Sequence, residues 1–328
     1  MKRILVCAIS LLFLAPANAS DSLTVRNAHA MIYHKVRGTV LLLGGADERS
    51  VRGDLWEWNG KHWRLVAREG PPPRTFPAMA YDRARARIVL FGGNRVLFGT
   101  ESDTATFLQD LWEWDGAHWR QLQVATPPPR AEASMVYDEA RKRVVLFGGY
   151  HIANGKMIRF GDTWEWDGKQ WSQSNANGPS PRNGAALIYD AARERIVLFG
   201  GSGASGETWA LKDGKWHEIK PPLAEGRFNS VMAFDEKRKH VIRFGGWNGN
   251  ERVGDTWRFA NDTWQRLEVP GPEARNHSAM AYDSKRQRLV LFGGHEGEKV
   301  FGDTWEWDGS KWSRAAFHAP RMRVDNGH

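Results

Sequence analysis

The chain has 328 residues, with 46 Lys and Arg against 38 Asp and Glu, a formal charge of +8, and 17 tryptophans. That length supports a large core. No apolar run is long enough to span a membrane, so no stable membrane insertion is expected.

The first twenty residues stand apart. Lys2 and Arg3 precede an apolar run from Ile4 to Leu14, and Ala17-Asn18-Ala19 follows with small-residue spacing. This pattern reads as a secretory signal peptide over residues 1–19, cut after Ala19. It predicts a periplasmic or extracellular location. The sole cysteine, Cys7, lies within it, so the mature chain is expected to hold no thiol and no disulfide. Removing Lys2 and Arg3 leaves 44 basic and 38 acidic residues.

Beyond this leader, landmarks recur in fixed order. An arginine comes first, at Arg26, Arg74, Arg130, Arg182, Arg227 and Arg275. Seven positions later stands an aromatic: Tyr33, Tyr81, Tyr137, Tyr189, Phe234 and Tyr282. Eighteen positions after the arginine a Gly-Gly pair begins, at Gly44, Gly92, Gly148, Gly200, Gly245 and Gly293. Two tryptophans seven apart close each unit: Trp56 and Trp63, Trp112 and Trp119, Trp164 and Trp171, Trp209 and Trp216, Trp257 and Trp264, Trp305 and Trp312. An acid precedes each first tryptophan by two positions, from Asp54 to Asp303.

Each unit reads as four strands. The small apolar segment after the arginine, such as Ala78-Met79-Ala80, suits an innermost strand crowded around an axis. Ile88-Val89-Leu90-Phe91 reads as a buried strand stopped by Gly-Gly. The tryptophans mark a hairpin, with Asn59-Gly60, Asp115-Gly116, Asp167-Gly168, Asp213-Gly214 and Asp308-Gly309 as two-residue turn signals and Asn261-Asp262 in the fifth copy. The predicted class is all-β: a six-bladed β-propeller of four-stranded antiparallel blades over residues 20–318, with 319–328 as a tail.

A hydrophobic strand ending in Gly-Gly and followed by a paired-aromatic hairpin resembles the kelch repeat, over roughly residues 26–312 in six copies. Leu211 in copy four and Phe259 in copy five depart from the tryptophan found at Trp58, Trp114, Trp166 and Trp307. Sixteen of the 17 tryptophans occupy repeat positions and read as packing between blades.

Length variation is confined to one loop, from Gly-Gly to the first tryptophan, which runs 12, 20, 16, 9, 12 and 12 positions. In an up-and-down blade this loop shares a rim with the proline-bearing link to the next blade. Variable loops on a rigid scaffold place the expected binding face there. The candidate ligand-binding residues on it are Trp247, the one tryptophan out of register, with Asn248, Arg95, Phe98, Tyr150, His295 and Glu296. Arg74 and Arg275 represent the leading arginines, of which one or two are expected to face ligand while most pair with the repeated acids and lock neighbouring blades.

Periodic arginines such as Arg85, Arg141 and Arg286 read as solvated hairpin ends, not as a nucleic-acid surface, since no base-stacking motif accompanies them. No metal-ligand spacing, nucleophile elbow or phosphate loop occurs, so no metal and no cofactor are expected. The residues leave two functions open: a monomeric extracytoplasmic module binding a glycan or protein, or a sugar-processing enzyme. The resemblance extends to periplasmic sialic acid mutarotases, also six-bladed kelch proteins. In that reading Arg95, Glu101, His295 and Glu296 would supply acid–base groups.

Overall fold

The structure, a computed structural model, describes residues 22–97, 104–175, 177–202, 206–221 and 225–317. The leader over 1–19, the tail over 319–328 and Phe98 lie outside the described residues.

Six four-stranded antiparallel sheets form, each with its strands in sequence order. Their first strands are Ala30–His34, Ala78–Asp82, Ser134–Asp138, Ala186–Asp190, Val231–Asp235 and Ala279–Asp283, and neighbouring first strands touch around one axis. Small residues permit this approach. The second strands are the most buried, with Val40 to Leu43 and Ile88 to Phe91 at 0 % exposure.

Three repeat positions hold the blades. In each sheet the first tryptophan donates its indole N–H to the acid two residues before it, as Trp56 does to Asp54 at 2.6 Å and Trp305 to Asp303 at 2.7 Å. Trp58, Trp114, Trp166 and Trp307 are essentially fully buried, and Leu211 and Phe259 fill the equivalent places. The last tryptophan reaches back to the preceding blade. Trp63 donates to Thr304 at 2.9 Å, Trp216 to Thr163, Trp264 to Thr208 and Trp312 to Thr256. In blades 1 and 2 leucine replaces that threonine, as Leu55 and Leu111, and the buried indole N–H of Trp171 has no partner.

Blades 6 and 1 meet through the same contacts as any other pair, so the ring closes without a blade shared between chain ends. Arg26 N–H donates to the Phe301 carbonyl at 3.1 Å and Gly294 N–H to the Arg26 carbonyl at 3.0 Å. All twelve Gly-Gly residues have positive φ. A Cβ on Gly293 would lie 2.3 Å from the Arg26 carbonyl oxygen, so glycine lets the neighbouring backbone close.

Two expectations are corrected. The outer hairpins of blades 1, 2, 3 and 6 are four-residue loops, with Trp58 opposite Trp63 and Trp307 opposite Trp312. The Asn59 or Asp308 carboxamide or carboxylate oxygen accepts the N–H groups two and three residues on, satisfying them without a further strand pair. Among the six outer hairpins, two-residue turns occur at Asp213-Gly214 and Asn261-Asp262, where both residues have positive φ. The arginines at the opposite rim are not simply solvated. Arg85 pairs with Asp82 and Glu113, and Arg286 with Asp283 and Glu306, each at 2.6–2.7 Å.

Candidate functional site at the channel mouth

The variable loops and the inter-blade links do share one rim. In five blades the residue after Gly-Gly bridges the residue after a leading arginine, Asn27 with Ala46, Thr75 with Asn94, Ala131 with Tyr150, Phe228 with Trp247 and Asn276 with His295, and in blade 4 Ser202 N–H donates to the Asn183 carbonyl.

The leading arginines form the wall below that rim. Arg74 and Arg275 are 0 % exposed. Arg275 meets Asp303 through both terminal nitrogens, at 2.6 and 3.1 Å, and donates to the Gly293 carbonyl. Arg74 meets Asp110 and Gly92 in the same manner. Their side chains clamp their own blade, while the backbone of each pairs with the blade before it; Arg74 N–H donates to the Arg52 carbonyl and Gly45 N–H to the Arg74 carbonyl. Both arginines expected to reach ligand are therefore committed to the wall, since a bidentate buried pair leaves no donor facing the channel.

Two residues beyond each arginine the chain turns over the channel. Ala28, Phe76, Glu132, Gly184, Asn229 and His277 all have φ between 51° and 62°. Their backbones pass hydrogen bonds from blade to blade: Phe76 N–H to Ala28 C=O at 2.7 Å, Glu132 to Phe76, Gly184 to Glu132, Asn229 to Gly184, and Ala28 to His277 at 3.0 Å. This ring narrows the mouth to a cavity of 140 Å³.

Side chains from opposite blades meet there. Glu132 Oε1 of blade 3 lies 3.6 Å from His277 Nε2 of blade 6. Asn183 donates to Glu132 Oε2, and Asn229 donates to both Glu132 and His277. Because His277 Nε2 accepts, its Nδ1 carries the proton and donates to His295 Nε2 at 2.8 Å. Gly184 leaves the space for this: a Cβ there would sit 2.2 Å from Asn229 Oδ1. Burial pushes the Glu132 carboxyl up to about 7, against the hydrogen bonds from Asn183 and Asn229 and the Arg159 charge. Burial, then the His295 and Arg252 charges, holds His277 well below the usual imidazole range. Burial and Arg252 lower His295 to about 4. At neutral pH both histidines are uncharged and the Glu132–His277 contact is not an ion pair.

Of the sequence candidates, His295 joins this network directly, and Tyr150 is buried beside it with Phe107 edge-on at 5.4 Å. Burial and Glu132 raise the Tyr150 hydroxyl. Trp247 is half-buried, hydrogen-bonded by its backbone to Phe228, with the Arg252 guanidinium 5.3 Å over its ring. Asn248 is exposed, and its side-chain oxygen accepts from the N–H groups of Asn250 and Glu251. Arg95 and Glu296 are exposed on the rim and do not enter the mouth cluster. Glu132, Asn183 and Asn229 were missed. Glu132 and Asn229 stand in the repeat column two after the arginine, where all six residues differ, and that was the available signal.

At its other end the channel is bridged by Arg83, 2.7 Å from Glu139 and 2.5 Å from Glu236 of the opposite blade. Between the two ends lies a 210 Å³ cavity walled largely by Met, Ala and Tyr.

Blade 3 carries an addition on the mouth rim. Its long loop folds into a hairpin of two strands, Tyr150–Ala153 and Lys156–Arg159, on which Met157 and Ile158 are 47 % and 44 % exposed. No helix among the described residues is long and apolar enough to cross a membrane.

Fold and repeat pattern together define a six-bladed propeller with a loop-built rim around a polar mouth. Residues 13–201 match the KLHDC2/KLHL20/DRC7 Kelch-repeats domain, more than half of the chain, and the chain belongs to the kelch-repeat family. It is similar to two proteins of Chlamydomonas reinhardtii. One is the flagellar outer arm dynein alpha chain, 32 % identical over 154 residues, which are 44 % of this chain and 3 % of that one. The other is dynein regulatory complex subunit 7, 32 % identical over 124 residues, 36 % of this chain and 10 % of that protein. The match thus spans a small part of each relative.

Proposed function

We propose that this protein is an extracytoplasmic binding propeller whose partner is another protein, docked on the rim that surrounds the channel mouth. The carrying observation is the blade 3 hairpin. Exposed Met157 and Ile158 on a projecting two-stranded element are the kind of apolar anchor a protein interface buries. The mouth volume agrees. At 140 Å³ it is well below the ~300 Å³ at which whole small-molecule sites begin, so it suits a side-chain tip better than a pyranose. The extracytoplasmic assignment rests on the leader pattern from Lys2 to Ala19.

A photo-crosslinking residue at position 157 should give a discrete protein adduct in cells, while one at Val36, exposed on the opposite rim, should not. Equal labelling from both positions would refute the rim. Cell fractionation with N-terminal sequencing should find a mature chain beginning at Ser20; a cytoplasmic chain retaining Met1 would refute the location. One observation favours the mutarotase reading: Glu132 and His277 face each other at 3.6 Å as a potential acid–base pair. Accelerated anomer exchange of a reducing sugar, lost in Glu132→Gln, would establish it.

A further inference from the structure

We infer that the channel mouth is a receptor for a primary ammonium group, with Glu132 as its counter-ion. The inference deepens the rim-docking reading, because a lysine side chain is one carrier of that group. Its chemistry stands on the mouth alone.

Glu132 is the one carboxylate among the residues lining this cavity, and no lysine or arginine lines it. An anionic ligand would meet Glu132 with no compensating cation. A pyranose exceeds the volume. His277 Nε2, 3.6 Å from Glu132 Oε1, already accepts from Asn229 and so turns no competing donor toward the carboxylate. A carboxylate oxygen accepts more than one hydrogen bond, and an ammonium brings three donors on one atom. Ser230 and Ser278 line the same cavity, and so does half-buried Phe76, whose π-system favours a cation. A methylene stem with a charged head fits a narrow opening between apolar Ala28, Pro77 and Phe76.

The groups facing Glu132 set the pH dependence. Neutral His277 and, behind it, His295 supply no positive charge, and the Tyr150 hydroxyl stays protonated. Arg159, reaching Asn183 Oδ1 at 2.9 Å, is the nearby cation. Glu132 must ionise to bind, so affinity should rise as pH increases through about 7 and fall only as the amine itself deprotonates near ~10.4.

The experiment titrates n-butylamine, Nα-acetyl-lysine methylamide, putrescine, n-butanol and tetramethylammonium to 50 mM against the full chain at pH 8. Binding is read by NMR shifts of the Glu132 carboxyl and His277 ring. Primary amines should bind at least tenfold more tightly than butanol or tetramethylammonium, and their binding should weaken at least tenfold in Glu132→Gln. An unchanged melting temperature in Glu132→Gln, or failing that the same loss in a folded Asn229→Ala variant, separates recognition from folding. Stronger binding of acetyl-lysine methylamide than putrescine points to a protein side chain, and the reverse to a free polyamine; both support the ammonium site. Absence of shifts at 50 mM, equal binding of butanol, or undiminished binding to Glu132→Gln overturns it. That failure leaves the crosslink at position 157 untouched, so the two readings fail separately.

Discussion

Replacing Arg243 by leucine should stabilise the protein. In the second strand of five blades the residue opposite the first tryptophan is a fully buried leucine: Leu42, Leu90, Leu146, Leu198 and Leu291. Blade 5 has Arg243 opposite Trp257 instead. It is 1 % exposed, donates once, to the Glu225 carbonyl at 3.1 Å, and its Nε and Nη2 find no partner. Burial, then the neighbouring Arg227 charge, pushes its guanidinium down to about 9. The blade's own clasp is disturbed as well. Arg227 Nη1 donates to Gly226, not to the Gly-Gly carbonyl used in every other blade, and Asp255 Oδ1 is unpaired. Substituting packed apolar groups for buried charges stabilises by about 1–4 kcal/mol where measured. Against this stands the loss of contacts to the Phe199, Trp257 and Trp264 rings, 4.4–5.0 Å away, together worth about 0.5–2 kcal/mol. A net gain of about 0.5–2 kcal/mol remains, which at ~2–4 °C per kcal/mol raises the melting temperature by about 1–8 °C. For a base whose folded pKa is depressed, the unfolded chain binds more protons and stability rises with pH in the window above about 9. The gain in Arg243→Leu should therefore be flat from pH 6 to 8. Differential scanning calorimetry at pH 7 decides it: a lower melting temperature would show that the three rings, not the missing partners, control this site.

Asp303→Asn should destabilise by about 3–5 kcal/mol, because it strands the fully buried Arg275, and equilibrium urea unfolding would measure it. Desolvation opposes ionisation of Asp54, Asp110, Asp162 and Asp303, yet the paired arginine and the indole N–H overcome it and hold each below the usual carboxylate range. Their contribution is thus complete above the ordinary aspartate pKa and is lost as pH falls through the lowered folded values, so acid unfolding followed by tryptophan fluorescence should begin below pH ~4. Thr304→Val removes the acceptor of a buried indole across the closing interface and should cost about 1–3 kcal/mol, read as a shift in the urea midpoint. Gly293→Ala, with φ at +65° and the Arg26 carbonyl 2.3 Å from the new carbon, should cost at least ~2 kcal/mol, seen as loss of soluble folded protein.

The spacing of tryptophans, arginines and double glycines determined the six blades, because each is a local demand: an indole needs an acid two residues away, and a strand must stop where a neighbouring backbone crosses it. The shared rim of variable loops also followed, since an up-and-down sheet leaves no other place for them. What only the tertiary structure decided is the mouth. Glu132 and His277 are 145 positions apart in blades that face one another, and nothing along the chain pairs residues across a ring. The leading arginines show the converse: the sequence marked them as repeated, and only their burial against Asp110 and Asp303 assigned Arg74 and Arg275 to the wall. A linear code fixes each blade against its neighbours, whereas the chemistry at the axis arises from closure, which brings together six residues that share a column and nothing else.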